Sequence, residues 1–394
     1  MRASWGERKS PCRRNPSVVE ALLVHHQAAP GIRSVSIERP GCTELLVTAT
    51  PLPHEPLGAA LQRACGAVRD AGAEVVSQEL FGIPRDPLGK LSRATWPVTW
   101  IDGGGRRPEC GGGTQLWAVA GVEVSRLMQG SRCVGSVFED ADAVYCRLGG
   151  LRPADVDVPK AAQAESVFGQ MGAFLESVGL AWGHVVRTWF YNCDMLEWYG
   201  DFNEVRSVLF RKYGVFDGLV PASTGIGGAN AANAALVGHL LAVQPKHHGV
   251  SIQAVRSPLQ GPALEYGSGF NRAVEVAGGG VRRLYVSGTA SIDQDGQTLH
   301  VGDMGGQVAR TMEVVEAILV SRGMKWADVA RAIAYCKHGE DAPVFEAYCA
   351  ARGLAALPVV VTCNDICREA LLFEIELDAI GCEGRRFDGQ RRMA

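Results

Sequence analysis

Two stretches of this chain repeat one pattern at a distance of 144 positions. Gln163 opens QAESVFGQMGAFLESVGLAWGHVVRTWFY and Gln307 opens QVARTMEVVEAILVSRGMKWADVARAIAY. Gly179 and Gly323, Trp182 and Trp326, and Tyr191 and Tyr335 keep that offset through 29 residues without a gap. A repeat of this length must be placed before any local motif is read, because each copy is a structural unit with a face to cover. Phe168, Met171, Phe174 and Leu175 match Met312, Val315, Ile318 and Leu319 at helical spacing. The glycine after each run can take the left-handed conformation that closes a helix. A strand then begins at HVVRTWFY and at DVARAIAY.

Upstream lie AVYCRLGGL and RLYVSGTAS; downstream lie LVPASTG and LPVVVTC, then GVSIQAV and LLFEIEL. The predicted order in each copy is strand, strand, helix, strand, short helix, strand. A fainter copy precedes them: PLGAALQRACGAVRDAGAEVVSQELFG repeats the helix, Gly72 and the next strand, and WPVTWIDGG and LWAVAGVEV take the places of LPVVVTC and LLFEIEL. The boundaries are set at residues 35–127, 131–257 and 258–382, with tails at 1–34 and 383–394. A small sheet with helices on one face leaves its other face bare. No Ser/Gly/Pro linker separates the copies. The expected class is therefore α+β, three fused units of small mixed sheet with helices on one face, covering one another as an intramolecular pseudo-trimer.

Composition narrows the function. With 47% hydrophobic and 21% charged residues the chain is a globular one, and a net charge of −3 without a long basic stretch gives no footprint for nucleic acid. The first sixteen residues hold five basic residues with no apolar run after them, and nothing approaches the ~18 apolar residues of a membrane span. A cytoplasmic protein is expected. Twelve cysteines without a C-x-x-C pair specify neither a zinc site nor a disulfide framework, and most are expected to be reduced. No metal or cofactor is expected.

The chemistry is concentrated near the C-terminus. In LLFEIELDAI, residues 371–380, alternation puts Glu374 and Glu376 on one face, opposite Phe373, Ile375 and Leu377. In the copy-two strand GVSIQAV the corresponding residues read as Ser251 and Gln253, so the acidic pair occurs once. A carboxyl buried beside a second carboxylate has its pKa raised and suits a general acid; at an exposed edge it would be a rim residue.

LYVSGTASIDQDG, the GD and Gln307 after it, LPVVVT and LLFEIELDAI resemble the RidA (YjgF) superfamily, whose members are trimers of such an α+β unit with ligand sites between subunits. With YCRLGG, RTWFYNCDML and PASTGIGG the whole chain is similar to the chorismatases, the chorismate-hydrolysing branch. The resemblance implies three RidA- or chorismate-mutase-like units and a reaction in which chorismate loses pyruvate. The ring leaves as a dihydroxycyclohexadiene carboxylate or a hydroxybenzoate. An acid on the last strand protonates the enolpyruvyl methylene, and by position that acid is Glu374. Cys363 resembles a site cysteine carried by branches that make 3-hydroxybenzoate, which is the product favoured. The chain departs from RidA imine deaminases in having no arginine between Arg352 and Arg368, and NCDMLEWYGDFNEVRSVLFRKYG departs from the chorismatase pattern.

A dianionic small-molecule carboxylate needs cations and donors. Tyr145 and Arg147, read against Tyr285 and Ser287 of copy three, are expected to bind it, Arg147 foremost. Arg187 and Tyr191 on RTWFY, Arg206 and Arg211 on the following helix, and Thr224 and Gly225 in PASTGIGG, read as a glycine-rich turn, are further candidates. Arg368 is expected to close the same site or to pair with the acids. A chorismatase-like enzyme, monomeric or loosely self-associated, leads. The alternatives are a RidA-type imine or enamine deaminase and a non-catalytic carboxylate binder.

Overall fold

A computed structural model describes residues 23–55, 57–82, 94–102 and 111–382. Its described strands form three six-stranded mixed sheets. The first holds β1 (Leu23–Ala29), β2 (Ile32–Arg39), β3 (Cys42–Ala49), β4 (Glu74–Phe81), β5 (Val98–Ile101) and β6 (Gly113–Ala120), in the order β1-β2-β3-β6-β4-β5. The second holds β7 (Ser125–Gln129), β8 (Arg132–Glu139), β9 (Ala143–Leu151), β10 (Val185–Asn192), β11 (Ala222–Gly227) and β12 (Leu236–Pro245). The third holds β13 (Ser251–Val255), β14 (Ala273–Gly278), β15 (Val281–Ala290), β16 (Val329–Cys336), β17 (Val359–Cys363) and β18 (Phe373–Cys382). Their orders, β7-β8-β9-β12-β10-β11 and β13-β14-β15-β18-β16-β17, repeat the first strand for strand.

The helices are α1 (Leu57–Asp70) in the first unit, α2 (Lys160–Ser177) and α3 (Met195–Lys212) in the second, and α4 (Met304–Ser321) and α5 (Ala342–Ala351) in the third. Val167, Phe168, Met171 and Leu175 recur at helical spacing on α2, and burying them against β9 and β12 holds that helix. Gly179, at φ +75°, follows the helix end as its position in the repeat requires. On α4 the Asp303 side chain accepts from the Gly306 N–H at 3.0 Å, closing the first turn.

The opposite sheet faces meet one another. One apolar cluster joins Val76 and Phe81 of the first unit, Tyr145, Trp189 and Tyr191 of the second, and Tyr285, Ile333 and Tyr335 of the third. Covered on both faces, β10 and β16 are buried along their whole length. Consecutive units also touch edge to face: β5 meets β9, β11 meets β15, and β17 meets β3 and β6.

The register corrects three sequence readings. The first sheet begins at Leu23 within what was read as a tail, β7 (Ser125–Gln129) crosses from the first copy into the second sheet, and Ser251–Val255 is the first strand of the third sheet. The counterpart of β18 in the second unit is therefore β12, not GVSIQAV. A shared bulge fixes the alignment: the ladder shifts between Val75 and Ser77, between Val185 and Arg187, and between Val329 and Arg331. From there Glu374 pairs with Tyr335 as Val237 pairs with Tyr191, and Glu376 pairs with Ile333 as His239 pairs with Trp189. By the same ladders Arg147 opposite Leu241 matches Tyr285 opposite Asp378, so Arg147 stands for Tyr285 and Tyr145 for Arg283. The likeness of VYCRLGG to LYVSGTA suggested a register two residues away, because similar letters were aligned across hairpins of different length.

Candidate active site

Glu374 lies on β18 at the seam between the second and third units. It is 5% exposed and faces a cavity of about 280 Å³ lined by Tyr199, Asn203 and Arg206 of α3, by Ser223 and Gly225 of β11, and by Arg272, Gly288, Cys367 and Arg368 of the third unit. Gly288 permits the arrangement: a Cβ there would lie 2.0 Å from Glu374 Oε1. Among the described residues nothing hydrogen-bonds the Glu374 carboxyl. Burial first, and the neighbouring Glu376 second, push its pKa up to about 8, against the opposing pull of Arg187 and Arg272.

Glu376 has the opposite character. It is fully buried, receives the Arg187 guanidinium, accepts from Arg331 at 2.8 Å and from the Thr224 hydroxyl at 2.7 Å, and is held below its ordinary pKa despite burial, chiefly by Arg187 and then Arg331. One strand thus presents a charged carboxylate locked into cations and, two residues before it, a carboxyl whose neutral form is favoured at neutral pH. Environments that separate two acids in this way divide their roles. Thr224 also accepts from the Gly288 N–H at 3.0 Å, tying β11 to β15 directly behind the cavity.

The structure gathers some sequence candidates here and sends others elsewhere. Gly225 and Arg368 line the cavity; Arg368 donates to the Gly296 carbonyl at 2.5 Å and makes no ion pair with the acids. Arg187 and Thr224 support Glu376 behind the wall instead of facing the cavity. PASTGIGG holds strand β11 (Ala222–Gly227), not a turn, and on its free edge the Ser223 N–H donates to Ser287 Oγ at 2.9 Å and the Gly227 N–H to the Asp365 carbonyl at 2.7 Å, so these N–H groups are already used within the protein. Arg211 is exposed on α3, whereas Arg206, one and a half turns earlier, is 1% exposed and lines the cavity. Tyr191 packs with Phe81 and His239 inside the shared core.

Tyr145 stacks on Phe138 in that core too. Arg147 lies in a separate chamber of about 40 Å³, pairs with Glu79 at 2.6 Å and sits 4.0 Å over the Trp189 ring. It meets an anion, as an arginine there must, but the anion belongs to the first unit of the protein. Cys363 is disulfide-bonded and is not among the residues lining the cavity, so it presents no free thiol, contrary to the expectation of no specified disulfide. The cavity's thiol is Cys367, free and pushed up to about 12 by burial and Glu374.

The sequence reading missed Arg272, Tyr199 and Asn203. Arg272 is 4% exposed, sits 5.6 Å from the Phe270 ring and donates twice to the Gly261 carbonyl. Its signal was an arginine opening the apolar strand RAVEVAG, where a buried cation requires an anion. Among the described residues no group of three or more His, Cys, Asp or Glu is placed to hold a metal, and no helix is long and apolar enough to cross a membrane.

Known proteins share this architecture. No family model matches the chain. A solved structure of chorismatase superposes on 77% of this chain and 92% of its own with a TM-score of 0.57 at 22% identity. A chorismatase of Streptomyces hygroscopicus is 30% identical over 218 residues, covering 49% of this chain and 60% of that one. The chain is similar in sequence to this chorismatase and shares the fold of the solved one. A second chorismatase, from Streptomyces rapamycinicus, is 30% identical over 221 residues and 64% of its length, so the match spans somewhat under two thirds of both curated chorismatases. A 3-hydroxybenzoate synthase of Streptomyces hygroscopicus is 26% identical over 265 residues, covering 60% of this chain and 74% of that one. The cavity at Glu374 lies where the second and third of the chain's three units meet.

Proposed function

We propose that the protein releases pyruvate from chorismate by acid catalysis at Glu374. The observation behind this is a single buried carboxyl, favoured in its neutral form at neutral pH, at the wall of a cavity that also holds three arginines, Arg206, Arg272 and Arg368. Chorismate is a ring dianion, and three guanidinium groups around one neutral acid give two carboxylates their counter-charges. The names of the related proteins support the same substrate.

In this reading Glu374 gives its proton to the terminal methylene carbon of the enolpyruvyl ether. The ether carbon becomes electron-poor, a water oxygen adds to it and returns one proton to the Glu374 carboxylate, and as the bond to the ring oxygen breaks the remaining hydroxyl proton passes to that oxygen and the carbonyl of pyruvate forms. Pyruvate leaves together with a dihydroxycyclohexadiene carboxylate. Loss of one water from that ring gives a hydroxybenzoate, and we extend the proposal to 3-hydroxybenzoate. The relative of that name and the free Cys367 thiol in the cavity lining support this extension. Incubating the purified protein with chorismate, while following pyruvate enzymatically and the ring product by chromatography, tests both parts. No pyruvate above that from Glu374→Gln protein overturns the first, and a product that stays non-aromatic overturns the second.

A further inference from the structure

The cleft between the first and second units repeats the one at Glu374. There Gly150 of β9 stands for Gly288, Thr99 of β5 for Thr224, Trp100 for Gly225, His239 for Glu376 and Val237 for Glu374, by the strand ladders that the units share. The equivalence extends to hydrogen bonds. The Gly150 N–H donates to Thr99 Oγ1 at 2.9 Å as the Gly288 N–H donates to Thr224 Oγ1 at 3.0 Å. Thr99 Oγ1 lies 3.3 Å from His239 Nδ1 as Thr224 Oγ1 lies 2.7 Å from a Glu376 oxygen. At the remaining interface Val360 holds the threonine's place, so that bond is absent.

The repeated cleft has not collapsed. It encloses about 270 Å³, close to the 280 Å³ at Glu374, and its lining includes Trp96, Trp100, Arg132, Arg152 and Val237. Arg132 donates to the Gly150 carbonyl at 2.6 Å, and neither arginine has a carboxylate partner among the described residues. Burial, and then Arg152, push the Arg132 guanidinium below its ordinary pKa, a cost that a bound anion would reverse. The buried indole N–H of Trp100 has no hydrogen-bond partner among the described residues.

We propose that this cleft is a second binding site for a small planar ring carboxylate, held by Arg132 and Arg152 between tryptophan rings and unable to turn it over because Val237 stands where the acid would be. Two guanidinium groups with no carboxylate partner among the described residues recognise the carboxylate, and indole faces recognise the ring. The proposal concerns binding alone and stands whether or not Glu374 acts on chorismate.

The test uses 3-hydroxybenzoate as the probe and tryptophan fluorescence as the readout, since Trp96 and Trp100 line this cleft and no tryptophan lines the cavity at Glu374. A saturable quench is expected in the full chain, equally in Glu374→Gln. Arg152→Ala should weaken it roughly 10-fold or more, the loss expected for one charge-assisted contact, with pyruvate release unchanged. Trp100→Phe should reduce the quench while calorimetry still records binding. Absence of any saturable quench, or an affinity unmoved by Arg152→Ala in protein whose melting is unchanged, overturns the proposal.

Discussion

Glu374 and Val237 occupy one position in consecutive units, the first paired across its sheet with Tyr335 and the second with Tyr191. In the first unit Gly113, opposite Phe81, holds that position. The acid is thus present once among three equivalent places, and its removal is the sharpest test of the site. Glu374→Gln keeps the side-chain shape and should lower turnover by roughly 10²- to 10⁴-fold, the range of general acid catalysis. The thermal midpoint should hold or rise, because no hydrogen bond or ion pair among the described residues is lost and a costly buried acid is replaced by a neutral group. Retained turnover would remove Glu374 from the chemistry.

The pH dependence has a defined sign. Glu374 titrates at about 8 in the folded protein and near its ordinary 4.5 when unfolded, so between those values the folded state holds a proton that the unfolded chain has released. Stability contributed by this group falls from about pH 4.5 to about pH 8 and levels off above. Activity, needing the protonated form, should decline above about pH 8. The difference between wild type and Glu374→Gln in melting scans across that window isolates the effect, and identical slopes would contradict it.

Arg147 offers the contrasting case. Its guanidinium is paired with Glu79 and stacked on Trp189, both inside the protein. Arg147→Ala strands a buried carboxylate and should cost about 3–5 kcal/mol of stability. The Michaelis constant for chorismate should change little at a temperature where the variant stays folded. Chemical denaturation and initial rates measure the two, and a large rise in the constant without destabilisation would return Arg147 to the substrate.

Cys363 and Cys367 should separate in the same manner. Cys363→Ala removes a disulfide and is expected to lower stability by about 2–4 kcal/mol, leaving the ratio of ring products unchanged. Cys367→Ala, altering the cavity wall, should change that ratio more than the melting point. Chromatography of the ring products alongside thermal melts distinguishes them.

How much of this was legible in the sequence depended on whether a residue's place follows from its own neighbours. The helix and strand from Gln163 and from Gln307, and the alternation that turned Glu374 and Glu376 to one face, are set by local periodicity and survive in α2, α4, β10, β16 and β18. What depended on which strand lay beside which was lost. Ser251 and Gln253 were taken for the second copy's counterparts of the acids because GVSIQAV alternates correctly, yet a hairpin with β14 draws that strand into the third sheet. Arg206 and Arg211 look alike in FNEVRSVLFRKYG, and the approach of distant Gly269 to the first, which helps to bury it, is not written in that local pattern. Cys363 and Cys367 stand four residues apart, and the turn after β17 decides which reaches the cavity.

A trimer of identical chains writes every substitution three times, so an acid introduced at one cleft appears at all three, with its burial cost and its repulsion tripled. Three units in one chain remove that constraint. Val237, Gly113 and Glu374 could change one at a time, and one of the three equivalent places bears a carboxyl where a symmetric assembly would bear three. Broken symmetry lets two seams built on the same strands carry different groups, a carboxyl at Glu374 and an isopropyl at Val237, which a symmetric assembly could not do.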